Sequence, residues 1–428
     1  MDNRHFALEV VQRLRTAGYE ALWAGGCVRD SLLGISPKDY DVATDARPEQ
    51  VRAVFGHRRT IAVGASFGVI TVLGPRPVQP VEVATFRCDG QYSDGRHPDQ
   101  VTFSDAAADA QRRDFTINGL FFDPLAERVI DYVGGQDDLR QGVVRAIGNP
   151  QARFDEDKLR MIRAIRFAAT YDFSLEPNTL AAIQNLAGEL VIVSAERIAA
   201  EMRRILPHVR RRRAVELLRA SELLPVILPE IGELDPQSPD NLELPADVRW
   251  TRLLEELDLL VEPSFSVGLA ALINDICRQD DGSRQLKLVE QICKRWRLSN
   301  DESQRVRFLL EHEESIRLAR SIPWPKLQRI LVADGVSDLL TFTAALATVR
   351  DGGTTAVDYC REQLARPTHE WNPAPLINGD DLQRAGLKAG RHFKQLLEQL
   401  RDAQLMGELS THDEALDWAL RWMARNQP

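Results

Sequence analysis

The apolar positions change period along the chain, first following a helix and then strands. Phe6, Val10 and Leu14 fall on one face of residues 3–17, which predicts an amphipathic helix. Short β-rich runs follow at residues 21–24, 41–43, 60–63, 68–73 and 81–87. The first third of the chain is therefore predicted to be a sheet with flanking helices.

After about residue 147 the strand signals fade and helical periodicity dominates. Helices are predicted over residues 156–169, 178–186, 195–206 and 214–223, and more follow toward the end. A change from mixed to all-helical sequence marks a domain boundary. We therefore predict an α+β chain in which a mixed head is followed by three helical parts: head 1–147, neck 148–223, body 224–350 and tail 351–428.

Composition narrows the class of protein. The chain has 428 residues, enough for two to four domains, and 44% of them are hydrophobic. No apolar run reaches the roughly 18 to 20 residues of a membrane helix, and Met-Asp-Asn-Arg-His at the start lacks the apolar core of a signal peptide. We expect a cytoplasmic protein whose five scattered cysteines are reduced thiols.

Net charge restricts the mode of nucleic-acid binding. A formal charge of −9 argues against non-specific coating of a long nucleic acid. Two local basic runs, Arg203-Arg204 and Arg210-Arg211-Arg212-Arg213, could still grip RNA phosphates, which would make binding strongly salt-dependent. The alternative for these runs is a solvated basic face.

Two aspartates stand one residue apart at the start of a predicted strand. Asp39 and Asp41 would face the same side while Tyr40 points away, because side chains alternate along a strand. Paired carboxylates bind Mg²⁺ together with substrate phosphates. The alternative is a solvated strand end.

A Gly-Gly turn precedes these aspartates. Gly25 and Gly26 follow a short apolar run and lead into a predicted helix over residues 28–33, so backbone N–H groups could converge on an anion that Arg29 also reaches. The spacing matches neither the P-loop nor the GxGxxG motif. A plain strand-to-helix turn would need the same glycines.

Two further segments carry arginines. Arg112 and Arg113, followed by Asp114, offer bidentate donors for a triphosphate or ribose, although a capped surface helix could have the same string. On the predicted helix that begins at residue 156, Asp157 would lie beside Arg160. The same ridge continues through Arg163 and Arg166.

The pair of Asp157 and Arg160 supports an inference about bases. A carboxylate accepts from the exocyclic amine of cytosine or adenine, while the neighbouring arginine donates to the adjacent ring acceptor. Uracil and guanine present a carbonyl instead and would be rejected. The alternative is an ordinary surface ion pair between residues three apart.

Together these four motifs closely resemble those of class II tRNA nucleotidyltransferases, the CCA-adding enzymes, and of bacterial poly(A) polymerases. The resemblance is dense over residues 20–206 and looser in the tail, through residues 375–382 and two later glycines. It implies a polymerase-β-type nucleotidyltransferase head and addition of nucleotides from CTP and ATP to the 3′ end of tRNA. No template strand is used, and pyrophosphate leaves.

The resemblance also implies roles for individual residues. Two Mg²⁺ ions would be held by Asp39 and Asp41, with Glu82 as a third carboxylate or else part of a salt bridge within the sheet. Bases would be read by Asp157 and Arg160. Contacts to phosphate and ribose would come from Gly26, Arg29, Arg112, Arg113, Asp114, Arg163 and Arg166. Asp131, with Gly134 and Gly135, would couple head and neck movements.

Several alternatives remain open at this point. Asn274 stands where relatives with a metal-dependent HD hydrolase domain have histidine, so we expect a helical body that binds tRNA without hydrolytic activity. The full-length loop over residues 87–98 disfavours an enzyme that adds only C. Addition of A alone, poly(A) synthesis and a catalytically inactive RNA-binding protein share most of these motifs. The lack of a long basic C-terminal extension favours CCA addition.

Overall fold

The computed structural model describes residues 2–90, 101–234, 245–277, 282–387 and 392–426. The chain divides into two compact units, residues 1–233 and 234–428. The four-part division into head, neck, body and tail remains a prediction. The expected loop over residues 87–98 lies mostly outside the described residues, which resume at Val101.

The first unit contains all the strands of the described chain. They are β1 Ala21–Ala24, β2 Asp41–Thr44, β3 Thr60–Ile61, β4 Val69–Val72, β5 Val81–Thr85, β6 Arg87–Asp89, β7 Val101–Phe103, β8 Leu120–Asp123, β9 Arg128–Asp131, β10 Val143–Val144 and β11 Ser174–Leu175. Seven of them form one sheet in the order β3-β4-β5-β2-β1-β8-β9. Within it β2 and β5 are parallel, and their register places Asp41 beside Glu82.

The helices of the first unit flank this sheet and continue past it. They are α1 Asn3–Thr16, α2 Gly26–Leu32, α3 Pro48–Phe55, α4 Ala106–Gln111, α5 Gly135–Gln141, α6 Pro150–Glu156, α7 Leu159–Tyr171, α8 Pro177–Leu186, α9 Ala195–Ile205, α10 Arg211–Ala220 and α11 Leu224–Ile227. Phe6, Val10 and Leu14 of α1 are fully buried, as their spacing predicted. The α+β prediction is confirmed.

Two sequence predictions need correction at the level of elements. The predicted strand over residues 60–63 ends at Ile61, and the Val63 side chain is 91% exposed. The predicted helix over residues 156–169 is two helices, because the backbone is extended at Asp157 (φ −156°, ψ 105°) between α6 and α7. Apolar periodicity continues through this break, so the pattern alone could not reveal it.

In the second unit the described residues form helices. They are α12 Ala246–Leu259, α13 Phe265–Cys277, α14 Gly282–Arg295, α15 Asn300–Arg317, α16 Trp324–Leu331, α17 Val336–Asp351, α18 Thr355–Ala365, α19 Thr368–Trp371, α20 Gly379–Arg384, α21 His392–Leu405 and α22 His412–Asn426. Within the described residues no single helix combines the length and apolarity needed to cross a membrane, although α16 and α17, which meet at a bend of 112°, satisfy both criteria as a pair.

A buried ionic cluster joins three helices of the second unit. The Arg350 guanidinium on α17 donates to Glu256 on α12 at 2.6 Å and to Asp275 on α13 at 2.8 Å. With its amide oriented to satisfy both groups, Asn274 accepts from Arg350 at 2.7 Å. Because these side chains are almost completely buried, their charges are compensated by each other rather than by water. The asparagine noted in the sequence therefore binds an arginine.

A turn in the first unit leaves no room for a side chain. Asp131, at the end of β9, accepts hydrogen bonds from the backbone N–H groups of residues 133–136 and so caps the start of α5. At Gly135 an added Cβ would lie 2.2 Å from the Thr116 carbonyl oxygen. Glycine is required here because the neighbouring atoms are backbone.

We expect Gly135→Ala to lower the free energy of unfolding by about 1 to 3 kcal/mol, since the methyl group must displace the backbone at Thr116. Thermal unfolding followed by circular dichroism would measure the loss as a fall in Tm of several degrees. Gly188→Ala is the matched control, because an added Cβ there meets nothing within 4 Å. Equal Tm values for the two variants would contradict the steric explanation.

Candidate nucleotide-binding site

A cavity of about 530 Å³ lies within the first unit. Its lining combines the start of α2, the first residue of β2, the segment after α4 and the pocket-facing residues of α7 and α9. Ten of the eleven residues predicted for catalysis and nucleotide binding line it: Gly26, Arg29, Asp41, Arg112, Arg113, Asp114, Asp157, Arg160, Arg163 and Arg166. The eleventh, Asp39, is exposed two residues before the lining Asp41.

The carboxylates of Asp39, Asp41 and Glu82 form a cluster, of which Asp41 lines the cavity. Tyr40 turns away from Asp39 and Asp41 and packs on Trp23 at 4.9 Å, as strand alternation predicted. Loss of solvation raises the pKa of Asp41 to about 6, and the charges of Glu82 and Asp39 raise it further against the opposing effect of Arg113. The site therefore carries excess negative charge, which favours binding of a cation.

These carboxylates do not form a complete metal site by themselves. Among the described residues no group of three or more His, Cys, Asp or Glu side chains has a metal-binding arrangement. The donor chemistry nevertheless suits a hard divalent cation, because Mg²⁺ commonly takes one or two carboxylates and completes its shell with substrate phosphates and water. The predicted salt bridge of Glu82 is not among the ion pairs of the described residues.

The Gly-Gly turn joins β1 to a helix, as predicted, although the helix begins at Gly26 rather than at residue 28. Gly25 adopts a positive φ of 70°, and an added Cβ would lie 2.9 Å from the Arg113 guanidinium. Helix α2 begins at Gly26 and brings Arg29 to the cavity. Arg29 is held by Asp30 at 2.8 Å and by the Asn118 side chain at 2.5 Å.

Arg112 and Arg113 share a buried counter-ion that sequence reasoning missed. Asp109, only 1% exposed, accepts from Arg112 at 2.8 Å and from Arg113 at 3.0 Å. Arg113 also donates to the Asn118 backbone carbonyl at 3.1 Å. The signal for Asp109 was present in the sequence, since it stands three and four residues before the two arginines, the spacing of neighbours on a helix.

The next residue of the motif, Asp114, binds the helical part of the unit. Its carboxylate accepts from Arg163 of α7 at 2.6 Å and from Asn118 at 3.0 Å. Burial alone would raise the pKa of Asp114, but the charge of Arg163 and these hydrogen bonds outweigh it and lower the pKa to about 2. Asp114 is therefore ionised and fixes Arg163 at the cavity.

The surface ion pair between Asp157 and Arg160, which was the alternative for these residues, is not formed: their side chains bind other partners. Asp157 lies in the break before α7, where it accepts from the Leu159 backbone N–H at 3.0 Å and from Arg197 of α9 at 2.6 Å. Arg160 donates instead to Glu156 at 2.5 Å. Both residues still line the cavity, so each is held by an outside partner and neither neutralises the other.

The other arginines are held in the same way by carboxylates behind them. Arg166 donates to Glu201 at 2.6 Å, and Arg204 lies 3.6 Å from the same carboxylate. Arg204, which the sequence suggested for RNA binding, lines the cavity. Glu201 is 3% exposed and accounts for part of the charge compensation that eight guanidinium groups require in one cavity.

The remaining members of the predicted RNA-binding runs differ in exposure. Arg211 is 2% exposed and donates to the Leu206 carbonyl at 2.9 Å, so it does not present its charge to solvent. Its role as a phosphate ligand is contradicted by this burial. Arg210 pairs with Asp172 at 2.6 Å and Arg212 with Glu216 at 3.2 Å, while Arg213 donates to the Phe173 carbonyl at 2.9 Å. Arg203 lies on α9.

Two other lining residues were missed by sequence reasoning. Phe167 looked like one more apolar position of α7, and Arg197 lies 40 residues from the aspartate it binds. In the sequence, a phenylalanine on a helix is equally typical of a hydrophobic core, and an arginine on a helix is equally typical of a solvated surface, so neither residue indicates a binding site. Their assignment depends on tertiary packing of α7 with α9.

The lining as a whole is chemically suited to a polyphosphate. The lining contains eight arginines and three aspartates. One of these aspartates, Asp41, belongs to the carboxylate cluster. Guanidinium groups bind phosphate oxygens through paired N–H donors. A cavity with arginines beside a cation-attracting carboxylate cluster can bind a nucleoside triphosphate with its metal.

Three protein-family models match the chain in order. The Poly A polymerase head domain matches residues 21–145, the family described as "Probable RNA and SrmB- binding site of polymerase A" matches residues 172–234, and tRNA nucleotidyltransferase domain 2 matches residues 283–419. The match to the head domain contains Asp41 and the arginines of the 112–114 segment. The last match falls in the helical second unit.

The curated relatives match either nearly the whole chain or about half of it. A CCA-adding enzyme of Lacticaseibacillus paracasei is 32% identical over 414 residues, which are 94% of this chain and 92% of the relative. Poly(A) polymerase I of Salmonella typhi is 40% identical over 250 residues, 55% of this chain and 52% of the relative.

Solved structures agree over the full length. The crystal structure of the Bacillus stearothermophilus CCA-adding enzyme in complex with CTP has a TM-score of 0.74 and 28% identity and covers 98% of each chain. The Thermotoga maritima CCA-adding enzyme complexed with tRNA, at 19% identity and a TM-score of 0.64, supports the fold alone. The sequence motifs, the nucleotidyltransferase head and these relatives lead to one conclusion: the chain belongs to the family of tRNA nucleotidyltransferases and bacterial poly(A) polymerases.

Proposed function

We propose that this chain adds C and A residues from CTP and ATP to the 3′ end of tRNA, without a template strand and with release of pyrophosphate. The observation that carries the proposal is the placement of Asp157 and Arg160 in the same cavity as Asp41 and the arginines. Relatives that are CCA-adding enzymes support it, including one that spans 94% of the chain.

Base selection is assigned to Asp157 and Arg160. Since Arg197 and the Leu159 N–H hold the Asp157 carboxylate, its remaining lone pairs can accept from the exocyclic amine of cytosine or adenine. Arg160 has donors besides the one that binds Glu156 and can approach the ring acceptor. A base with a carbonyl in place of the amine would face a carboxylate and lose that hydrogen bond.

Binding of the triphosphate is assigned to the arginines and the Gly-Gly turn. Gly26, at the start of α2, offers its backbone N–H, and Arg29 lies one turn further on. Arg112, Arg113, Arg163 and Arg166 surround the same space. Arginines outnumber aspartates eight to three in the lining, so a bound phosphate adds negative charge to a surface of positive charge.

Mg²⁺ is the cation that these carboxylates suit, and we propose that two ions are held by Asp39 and Asp41, with Glu82 beside Asp41 as a third acidic residue. When bound, such ions lower the pKa of the primer 3′-hydroxyl and neutralise charge on the phosphates. The contribution of the chain is to fix the carboxylates on β2 and to orient the triphosphate. No covalent intermediate with a protein side chain is required.

A second candidate is addition of A alone, as in poly(A) synthesis. The identity of 40% with a poly(A) polymerase over 55% of the chain favours this possibility specifically. It uses the same carboxylates and arginines and differs in the RNA primer and in the acceptance of CTP.

We propose that the reaction occurs in the cytoplasm and that the exposed Arg204 and the half-exposed Arg210 and Arg212 contact tRNA phosphates.

Incorporation of labelled nucleotides separates these functions. We expect CTP and ATP to extend tRNA ending at the discriminator base, ATP alone to extend tRNA ending in CC, and neither to extend tRNA ending in CCA. An unrelated RNA of equal length is the control. Extension of that RNA by many adenylates would refute CCA addition, and an absence of any incorporation would support a non-catalytic RNA-binding protein.

We expect Asp41→Asn to lower nucleotide incorporation by about a thousandfold or more, because the amide removes the charge that holds the cation. The wild-type activity should also disappear with EDTA and return with excess Mg²⁺. Asp45→Asn is the matched control, since Asp45 follows the far end of β2 and accepts from the Glu20 backbone. Retention of more than about a tenth of the activity by Asp41→Asn would contradict the assignment.

We expect Asp157→Ala to reduce the preference for CTP over UTP about 10- to 100-fold, because one hydrogen bond that depends on the base is lost. The ratio of kcat/KM values for the two nucleotides measures it. Asp155→Ala is the control, since Asp155 is exposed two residues away and pairs with Lys158. Unchanged rejection of UTP would refute the base-reading role of Asp157.

A further inference from the structure

One aromatic ring in the cavity contacts three of its arginines. The Phe167 ring centroid lies 4.2 Å from the guanidinium carbon of Arg166, 5.1 Å from that of Arg29 and 5.5 Å from that of Arg163. Phe167 is 5% exposed and lines the cavity. Arg29 comes from the sheet-containing part of the unit and the other two come from α7. The ring therefore contacts arginines of both parts.

The ring can stabilise arginines that lie close together in this cavity and repel one another. Cations held close together repel one another, and each must be stabilised without losing the N–H donors that bind phosphate. A carboxylate stabilises arginine by accepting from those donors. The negative face of an aromatic ring attracts the flat face of the guanidinium and leaves its N–H edge available.

Each of the three arginines uses both kinds of partner. Each is paired with at least one carboxylate: Arg29 with Asp30, Arg163 with Asp114 and, at 3.9 Å, with Glu201, and Arg166 with Glu201. Their contact with Phe167 is therefore additional to an ion pair. It can fix the orientation of the arginine without occupying another donor.

Phe167 is itself held in place by aromatic neighbours. Phe115 packs edge-on against it at 5.7 Å, and Tyr171 stacks at 6.3 Å with an angle of 18° between the rings. Arg29 also lies 4.6 Å from the Tyr171 ring. Loss of the Phe167 ring should consequently release Arg163 and Arg166 more than Arg29.

We propose that Phe167 is a positioning residue that holds Arg29, Arg163 and Arg166 in one arrangement for the triphosphate. This inference rests on the proposed function, in which those arginines bind the phosphates of CTP and ATP. It assigns to Phe167 an effect on phosphate binding and none on the choice of base. Both nucleotides should therefore respond equally to its replacement.

The test compares Phe167→Leu, which removes the ring, with Phe167→Tyr, which retains it. We expect Phe167→Leu to raise the KM for CTP and for ATP by about tenfold each, with kcat changed less than about threefold and the CTP to UTP preference unchanged. Phe167→Tyr should restore the wild-type KM. The control is Phe154→Leu, which truncates a fully buried ring of α6 that does not line the cavity.

The outcomes distinguish positioning from packing. An unchanged KM in Phe167→Leu, or an equal rise in Phe154→Leu, would overturn the proposal. Equilibrium binding of tripolyphosphate to the full chain provides a readout that needs no turnover, and Phe167→Leu should weaken it about tenfold. If the wild type incorporates neither CTP nor ATP, the proposed function fails, whereas the tripolyphosphate measurement still decides the role of Phe167.

Discussion

The cavity depends on the ion pair between Asp114 and Arg163. Asp114 belongs to the segment that follows the sheet-flanking helix α4, and Arg163 belongs to α7 of the helical part. Their contact of 2.6 Å joins the segment after α4 to α7, and residues of both line the same cavity. Because Asp114 is buried and ionised, removing either partner would leave an uncompensated charge.

A second principle is the arrangement of charge in two layers. Arginines form the inner layer, and carboxylates that do not line the cavity, such as Asp109 and Glu201, stand behind them. This order lets many guanidinium groups share a small volume in the folded protein while their net charge still attracts phosphate. The pairing of Asp157 with Arg197 and of Arg160 with Glu156 follows the same logic. If Asp157 and Arg160 were paired with each other, they would have fewer groups to offer a ligand in the cavity.

Much of the fold and part of the site could be predicted from the sequence. Alternation along a strand correctly separated Asp39 and Asp41 from Tyr40, because that geometry is local. The break at Asp157 could not be predicted, since the aspartate replaces a helical hydrogen bond by accepting from Leu159 while the apolar pattern continues unchanged. Arg211 was misjudged because burial of an arginine against backbone carbonyls depends on tertiary packing. The partners Arg197 and Phe167 depend on such packing too.

The guanidinium of Arg350 supplies the positive charge of the buried ionic cluster in the second unit. It is a cation attached covalently to the chain, so it cannot dissociate from Glu256 and Asp275 or be taken up by a competing chelator. A structural metal ion in such a place would make folding depend on metal supply. Here the positive charge of the buried cluster is supplied by the chain itself and does not depend on a supply of metal ions.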